Sequence, residues 1–225
     1  MVNEKDKLFI ESIFTFWDKL TPQQQSLVLG NVMAVNYKAG EKIHSGDNDC
    51  VGVLLIKRGE LRTYILSEDG REITLYRLGP DDVCILSASC ILQNITFDVH
   101  IDAECDSEVL LLNSTIFQEI CNQSIYAENF SYKTTIDSFS DVMWAMQQIL
   151  FMSFDKRLAI FLLDEISRNS SESIHLTHEQ IAKYVGSARE VVSRMLKYFE
   201  KEGLVALSRG EVKVLNKKRL HELIE

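Results

Sequence analysis

The chain has 225 residues, 46% of them hydrophobic, enough to bury a core in each of two domains. No apolar run approaches the roughly 20 residues that span a bilayer, and the N-terminus MVNEKDKLFIESIF mixes charges where a targeting segment would be basic and then apolar; a soluble cytoplasmic protein with no membrane partner is expected. Five cysteines (Cys50, Cys84, Cys90, Cys105, Cys121) show neither CxxC nor paired Cys/His spacing, so neither a zinc site nor a disulfide framework is indicated and buried thiols are expected.

A net charge of −9 argues against a nucleic-acid partner, but its distribution reverses that. Residues 1–153 carry 11 Lys/Arg against 22 Asp/Glu, whereas Lys183 to Arg219 carry 10 basic against 4 acidic residues. A basic stretch on an acidic protein supplies phosphate contacts while the remainder resists indiscriminate binding.

From about Met33 to Leu112, short apolar runs alternate with turn residues, as in CVGVLLIKRGELRTYIL, SEDGRE and ITLYRLG. This predicts an all-β region, with Asp69-Gly70 as a type I′ hairpin turn. After Ser114, read as an N-cap, the pattern becomes helical. Tyr132, Ile136, Phe139, Met143, Met146 and Leu150 follow at spacings of 4, 3, 4, 3 and 4 between polar faces, which is a heptad seam and predicts a homodimer. A second helix is expected near Asp155 to Ile166.

Leu176 to Leu204 reads LTHEQIAKYVGSAREVVSRMLKYFEKEGL. Thr177 with Gln180 makes a capping box for a short helix through about Tyr184, Gly186 permits a sharp turn, and Ser187 with Glu190 makes a second box. The helix that follows alternates Val191, Val192, Met195, Leu196 and Phe199 with Arg189, Glu190, Ser193, Arg194 and Lys197. Two capped helices joined at a glycine, the second with a polar and mainly basic face, form a reader of the DNA major groove. An arginine fork fits O6 and N7 of guanine and a carboxylate accepts from the cytosine amino group, so Arg189, Glu190, Ser193 and Arg194 are the candidate base contacts. Thr177, Ser187 and Lys197 are candidate backbone contacts, joined by Arg209 and Lys213 of VALSRGEVKVLN, a two-stranded wing with Arg209-Gly210 at its tip.

This segment, with Arg189, Glu190 and Arg194 in an Arg-Glu-x-x-x-Arg pattern, resembles the DNA-binding domain of the Crp/Fnr superfamily. The resemblance extends over nearly the whole chain, more loosely in the first part, where AGEKI, the glycine spacing, GPDDV and AECDSEVLLL carry it. It implies an α+β fold: an N-terminal double-stranded β-helix, the β-roll of cyclic-nucleotide-binding domains, then a long dimerisation helix and a C-terminal winged helix-turn-helix. The expected domains are 1–151, with the dimerisation helix at about 115–151, and 152–225. The implied function is an effector-responsive regulator reading a palindromic operator through the helix at about 188–199, with RNA polymerase as a further partner if it activates.

The sensor departs from two well-known branches of that superfamily. Members resembling the cyclic AMP receptor protein hold the phosphate on a Gly-Glu turn followed by arginine and a small residue; here Cys84 to Cys90 read CILSASC. No Lys or Arg lies between Leu78 and Tyr132, against nine carboxylates, so a buried cyclic AMP phosphate would lack a charged partner unless an earlier-strand cation reached across. No cysteine precedes Cys50, where the iron-sulfur branch carries its cluster. Cys84, Ser87, Ser89, Cys90 and His100 remain as a candidate effector or redox site, a thiol switch or haem ligands. The cofactor and the small-molecule effector stay open. Two other readings were weighed: a winged-helix protein-interaction module, and an enzyme with a β-roll pocket. The sequence has no Gly-rich phosphate loop, G-x-S-x-G elbow or HExxH motif to support the latter.

Overall fold

The structure, a computed structural model, describes residues 3–45, 51–88 and 98–225. It divides into two compact units, residues 1–70 with 75–143 and residues 71–74 with 144–225. The fold is the expected α+β arrangement of β-roll, long helix and winged helix-turn-helix.

The first unit opens with α1 (Glu4–Ile13) and α2 (Pro22–Gly30), each closed by a capping box, Asn3 with Asp6 and Thr21 with Gln24. The roll is built from two four-stranded sheets. One has the order β1 (Val32–Tyr37), β8 (Ser107–Leu112), β3 (Val53–Arg58), β6 (Val83–Cys84); the other has β2 (Lys42–His44), β7 (His100–Ala103), β4 (Leu61–Leu66), β5 (Glu72–Leu78). The first sheet is covered on both faces. Leu54, Ile56 and Val109 join Leu61, Cys84 and Ile101 between the sheets, whereas Val53, Leu55, Leu110 and Leu112 join Ile10, Phe14, Phe117 and Ile120 outside. That is why β3 and β8 read as unbroken apolar runs.

Three local expectations are corrected. The β4–β5 turn is not type I′: the Gly70 N–H bonds the Ser67 carbonyl, and Gly70 at φ +76°, not Asp69, takes the left-handed conformation, leaving a longer loop. Asn113, not Ser114, caps the next helix, its side chain accepting from the Ile116 N–H. That helical region is also two helices, α3 (Ser114–Gln123) and α4 (Ile125–Phe151), parted at Ser124, whose backbone is extended. The break lets α3 turn Phe117 and Ile120 into the outer core.

In the second unit, α5 (Phe154–Arg168) leads to β9 (Ser173–Ile174), α6 (His178–Val185), α7 (Arg189–Lys201), the wing strands β10 (Val205–Ser208) and β11 (Glu211–Val214), and α8 (Lys217–Ile224). One core takes in Leu158, Leu162, Ile181, Val192, Leu196, Phe199, Val212 and Leu220. No described helix is long and apolar enough to cross a membrane.

α1 is pinned to the roll by charge. Lys57 of β3 donates to Asp6 at 2.8 Å and also to Glu108, and the Asp6 side chain is only 2% exposed. Burial pushes the Asp6 carboxyl up, but the Lys57 hydrogen bond and the Asn3 N–H outweigh it and leave the group below its ordinary value. A depressed carboxylate contributes stability that is present above its unfolded pKa and lost as pH falls through the folded one. Lys57→Met should therefore destabilise the first unit by about 3 kcal/mol at neutral pH, and the gap from wild type should narrow below about pH 4. Urea titrations followed by the fluorescence of Trp17, buried in the outer core, check both; a gap independent of pH would show that the pair is not the cause.

Candidate nucleic-acid interface

α6 and α7 are joined by a turn whose details follow from residues 182–188. Gly186 has φ +60° and ψ +51°, and the Gly186 and Ser187 N–H groups both bond the Ala182 carbonyl, closing α6 in a Schellman-type turn. Arg157 of α5 donates to the Val185 carbonyl at 3.0 Å, holding the same helix end from below. The Phe161 and Tyr184 rings stack with centroids 5.4 Å apart and fix α6 on α5. Thr177 caps α6 as expected, accepting from the Gln180 N–H.

The second capping box is corrected. α7 has Ala188, in extended conformation, at its N-cap and no side-chain cap. Ser187 lies one residue too early, and its amide is already committed to closing α6.

α7 divides cleanly. Val192, Leu196 and Phe199 are wholly buried, Val191, Ser193 and Met195 are intermediate, and Arg189, Glu190, Arg194 and Lys197 are exposed. None of those four forms an ion pair among the described residues, although Glu190 and Arg194 are a helical turn apart. The wing turn lifts Arg209 into solvent, and Lys213 is exposed on β11. β10 pairs with β11 as expected. β11 also pairs with β9, Val212 opposite Ile174, so the wing is a three-stranded sheet. Thr177, His178 and Glu179 face Arg189, Arg209 and Glu211 across a cleft of about 420 Å³. Ser187 is half-buried beside the turn.

Of the sensor candidates, Cys84, Ser87 and His100 are among the described residues and lie apart. Cys84 lies between the two sheets, where burial pushes its thiol up and away from the reactive thiolate. Ser87 is buried and donates to the carbonyls of Gly52 and Cys84, a structural role. His100 lies on β7, where Ile101 and Ala103 face the core; it stacks instead on Tyr64 of β4 at 5.2 Å, with the Arg62 guanidinium 4.2 Å above the Tyr64 ring. Cys84 and His100 are thus on opposite sides of a sheet. Ser89 and Cys90 lie outside the described residues. Among the earlier-strand cations, Lys57 holds Asp6 and Glu108, Arg62 approaches Glu104 at 3.8 Å, and Arg77 holds Glu60 at 3.3 Å.

A capped helix, a glycine turn, a second helix with an unpaired polar face and a wing define a winged helix-turn-helix DNA-binding protein, here carrying a β-roll sensor. The profile of the Crp-like helix-turn-helix domain matches residues 156–223, and that of the cyclic nucleotide-binding domain matches residues 34–124. A solved protein from Eubacterium rectale, assigned as a transcriptional regulator of the Crp/Fnr family, is 47% identical, covers 95% of this chain and 99% of its own, and superposes with a TM-score of 0.91. The cyclic AMP receptor protein of Thermus thermophilus is 23% identical over 91% of this chain and 94% of its own length. The transcriptional regulatory protein Btr of Bordetella pertussis is 23% identical over 84% and 80%. The chain belongs to the Crp/Fnr family of transcriptional regulators, with a DNA-binding helix-turn-helix and an effector-binding domain.

Sequence reasoning missed α1, α2, β9 and α8. The Thr21-Pro22 start with Gln24, and Asn216 capping the Leu220, Leu223 and Ile224 pattern, carried signals that could have found α2 and α8. It also passed over His178, which the fold places in the cleft beside Arg189.

The turn sets a measurable cost. A Cβ at Gly186 would meet Ile149 at an ordinary 3.7 Å, so the penalty for Gly186→Ala is the left-handed backbone and not a clash. Chemical denaturation should show a loss of about 1 kcal/mol for Gly186→Ala and less for Gly186→Asn, which tolerates that conformation. Equal losses in both variants would mean that packing, not φ, decides.

Proposed function

We propose that the protein binds operator DNA as a two-fold dimer, with α7 in the major groove and the wing on the adjacent backbone. Arg189, Glu190 and Arg194 contact base edges, with Ser193 between them at a base or a phosphate. Thr177, Ser187, Lys197, Arg209 and Lys213 contact the phosphates. The observation that carries this reading is the set of exposed cations on α7 and the wing tip that form no ion pair among the described residues, on a chain of net charge −9. Cations that have no intramolecular use but share one face are arranged for an external anion. RNA polymerase is the further partner if the bound dimer activates.

Arg194→Ala should weaken binding to a selected duplex by about 1–3 kcal/mol and relax preference at one base pair per half-site. A binding selection with unchanged base preference would reassign Arg194 to the backbone.

The dimer reading rests on α4. Ile136, Phe139 and Leu150 are more than three-fifths exposed in the single chain, and Tyr132, Met143 and Met146 continue the stripe. Such a row on one helix seeks a second copy, and a two-fold pair would place half-site centres about 34 Å apart. Met143→Glu should yield monomers by sedimentation and lose tight operator binding; a dimeric variant that still binds tightly would refute the seam.

A further inference from the structure

The cleft between the start of α6 and the wing contains one group whose ordinary pKa lies near neutrality. His178, the first residue of α6, is half-buried there among charges from each neighbouring element: Glu179 on α6, Arg189 and Lys197 on α7, and Arg209 and Glu211 on the wing. His175, just before α6, lies near Glu211, whose carboxylate is held below its ordinary value by hydrogen bonds from Ser173 and Ser208. Arg189 and Arg209 form no ion pair among the described residues. Glu211 is occupied with Ser208, and Glu179 takes no ion pair among the described residues. The open cleft therefore presents two guanidinium groups and an imidazole, beside the Glu179 carboxylate, to whatever enters it.

Without a ligand, a proton on His178 is disfavoured. Partial burial, then Arg189 and Lys197, hold the imidazole below its ordinary 6.5. An anion in the cleft does not undo the burial, but it offsets the two cations and accepts a charge-assisted hydrogen bond from the imidazolium, and together these favour the protonated ring.

We propose that His178 is a proton-linked contact to the DNA backbone: a phosphate entering the cleft brings a proton onto the imidazole, so that DNA affinity rises as pH falls through neutrality. The proposal rests on the reading of α7 and the wing as the DNA interface. The proton comes from solvent, one for each occupied cleft, and no covalent bond is made or broken. Because the bound form holds the proton more tightly than the free form, affinity climbs as pH falls from the bound value to the free value and is level below it.

The test uses the full-length protein and a mixed-sequence duplex of about 30 base pairs at low, constant ionic strength, since phosphate contacts do not depend on base sequence. Fluorescence anisotropy should show wild-type affinity rising about tenfold between about pH 8 and about pH 6, the slope expected for at most one proton per protomer. His178→Gln should bind with less than about a twofold change over that range, and His178→Arg, charged throughout, should bind at the upper pH as wild type does at the lower. His175→Gln should keep the wild-type slope. A slope that survives in His178→Gln overturns the proposal. So does an NMR titration in which the His178 ring protons report the same midpoint with and without duplex. Failure of wild type to bind the duplex at any pH would instead sink the DNA-interface reading itself, which separates the two outcomes.

Discussion

The exposed face of the helix-turn-helix depends on how α7 divides its circumference. Val192, Leu196 and Phe199 are wholly inside a core shared with α5, α6, the wing and α8, which leaves the helix no freedom to roll. Each of those side chains would cost several kcal/mol to expose or truncate, far more than any ion pair its opposite face could form. The polar face is therefore defined by the apolar one. Gly186 and the Arg157 bond to the Val185 carbonyl then set where the helix begins.

The same principle separates paired from unpaired charge among the described residues. On the roll, Lys57 and Arg77 are held by carboxylates, as befits cations on a partly covered surface. On α7 and the wing tip, Arg189, Arg194, Lys197 and Arg209 are left in solvent. Surface ion pairs add little to stability, so their absence there costs the fold almost nothing and keeps four cations available.

The elements governed by local periodicity were legible in sequence: the sheet region, the heptad stripe, α6, α7 and the wing. The exposure of Arg189, Glu190 and Arg194 on one face of α7 was legible for the same reason, because helical spacing fixes it whatever the tertiary context. What sequence could not give was set by distant partners. β9 is two residues long and exists because β11 lies alongside it. Ser187 has the right residue type for a cap, but its amide is captured by Ala182 across the turn. Of the sensor candidates, Cys84 and His100 sit on strands of different sheets, and alternation along β7 turns His100 away from the core that holds Cys84. His178 gave no motif at all; only the return of the wing to the start of α6 makes a cleft of it.

The pairing of β9 with β11 has a mechanical side. β9 ends three residues before α6 begins, so the strand that anchors the wing and the helix that forms the opposite wall of the cleft are one short, continuous piece of chain. Val212 and Ile174, facing each other across that pairing, are both fully inside the core. The two jaws of the cleft therefore share a hinge pin that does not open, and their separation behaves as a fixed gauge. Insertions at the Arg209-Gly210 tip would lengthen one jaw without widening the gap, whereas a disturbance at Ile174 would slacken both at once.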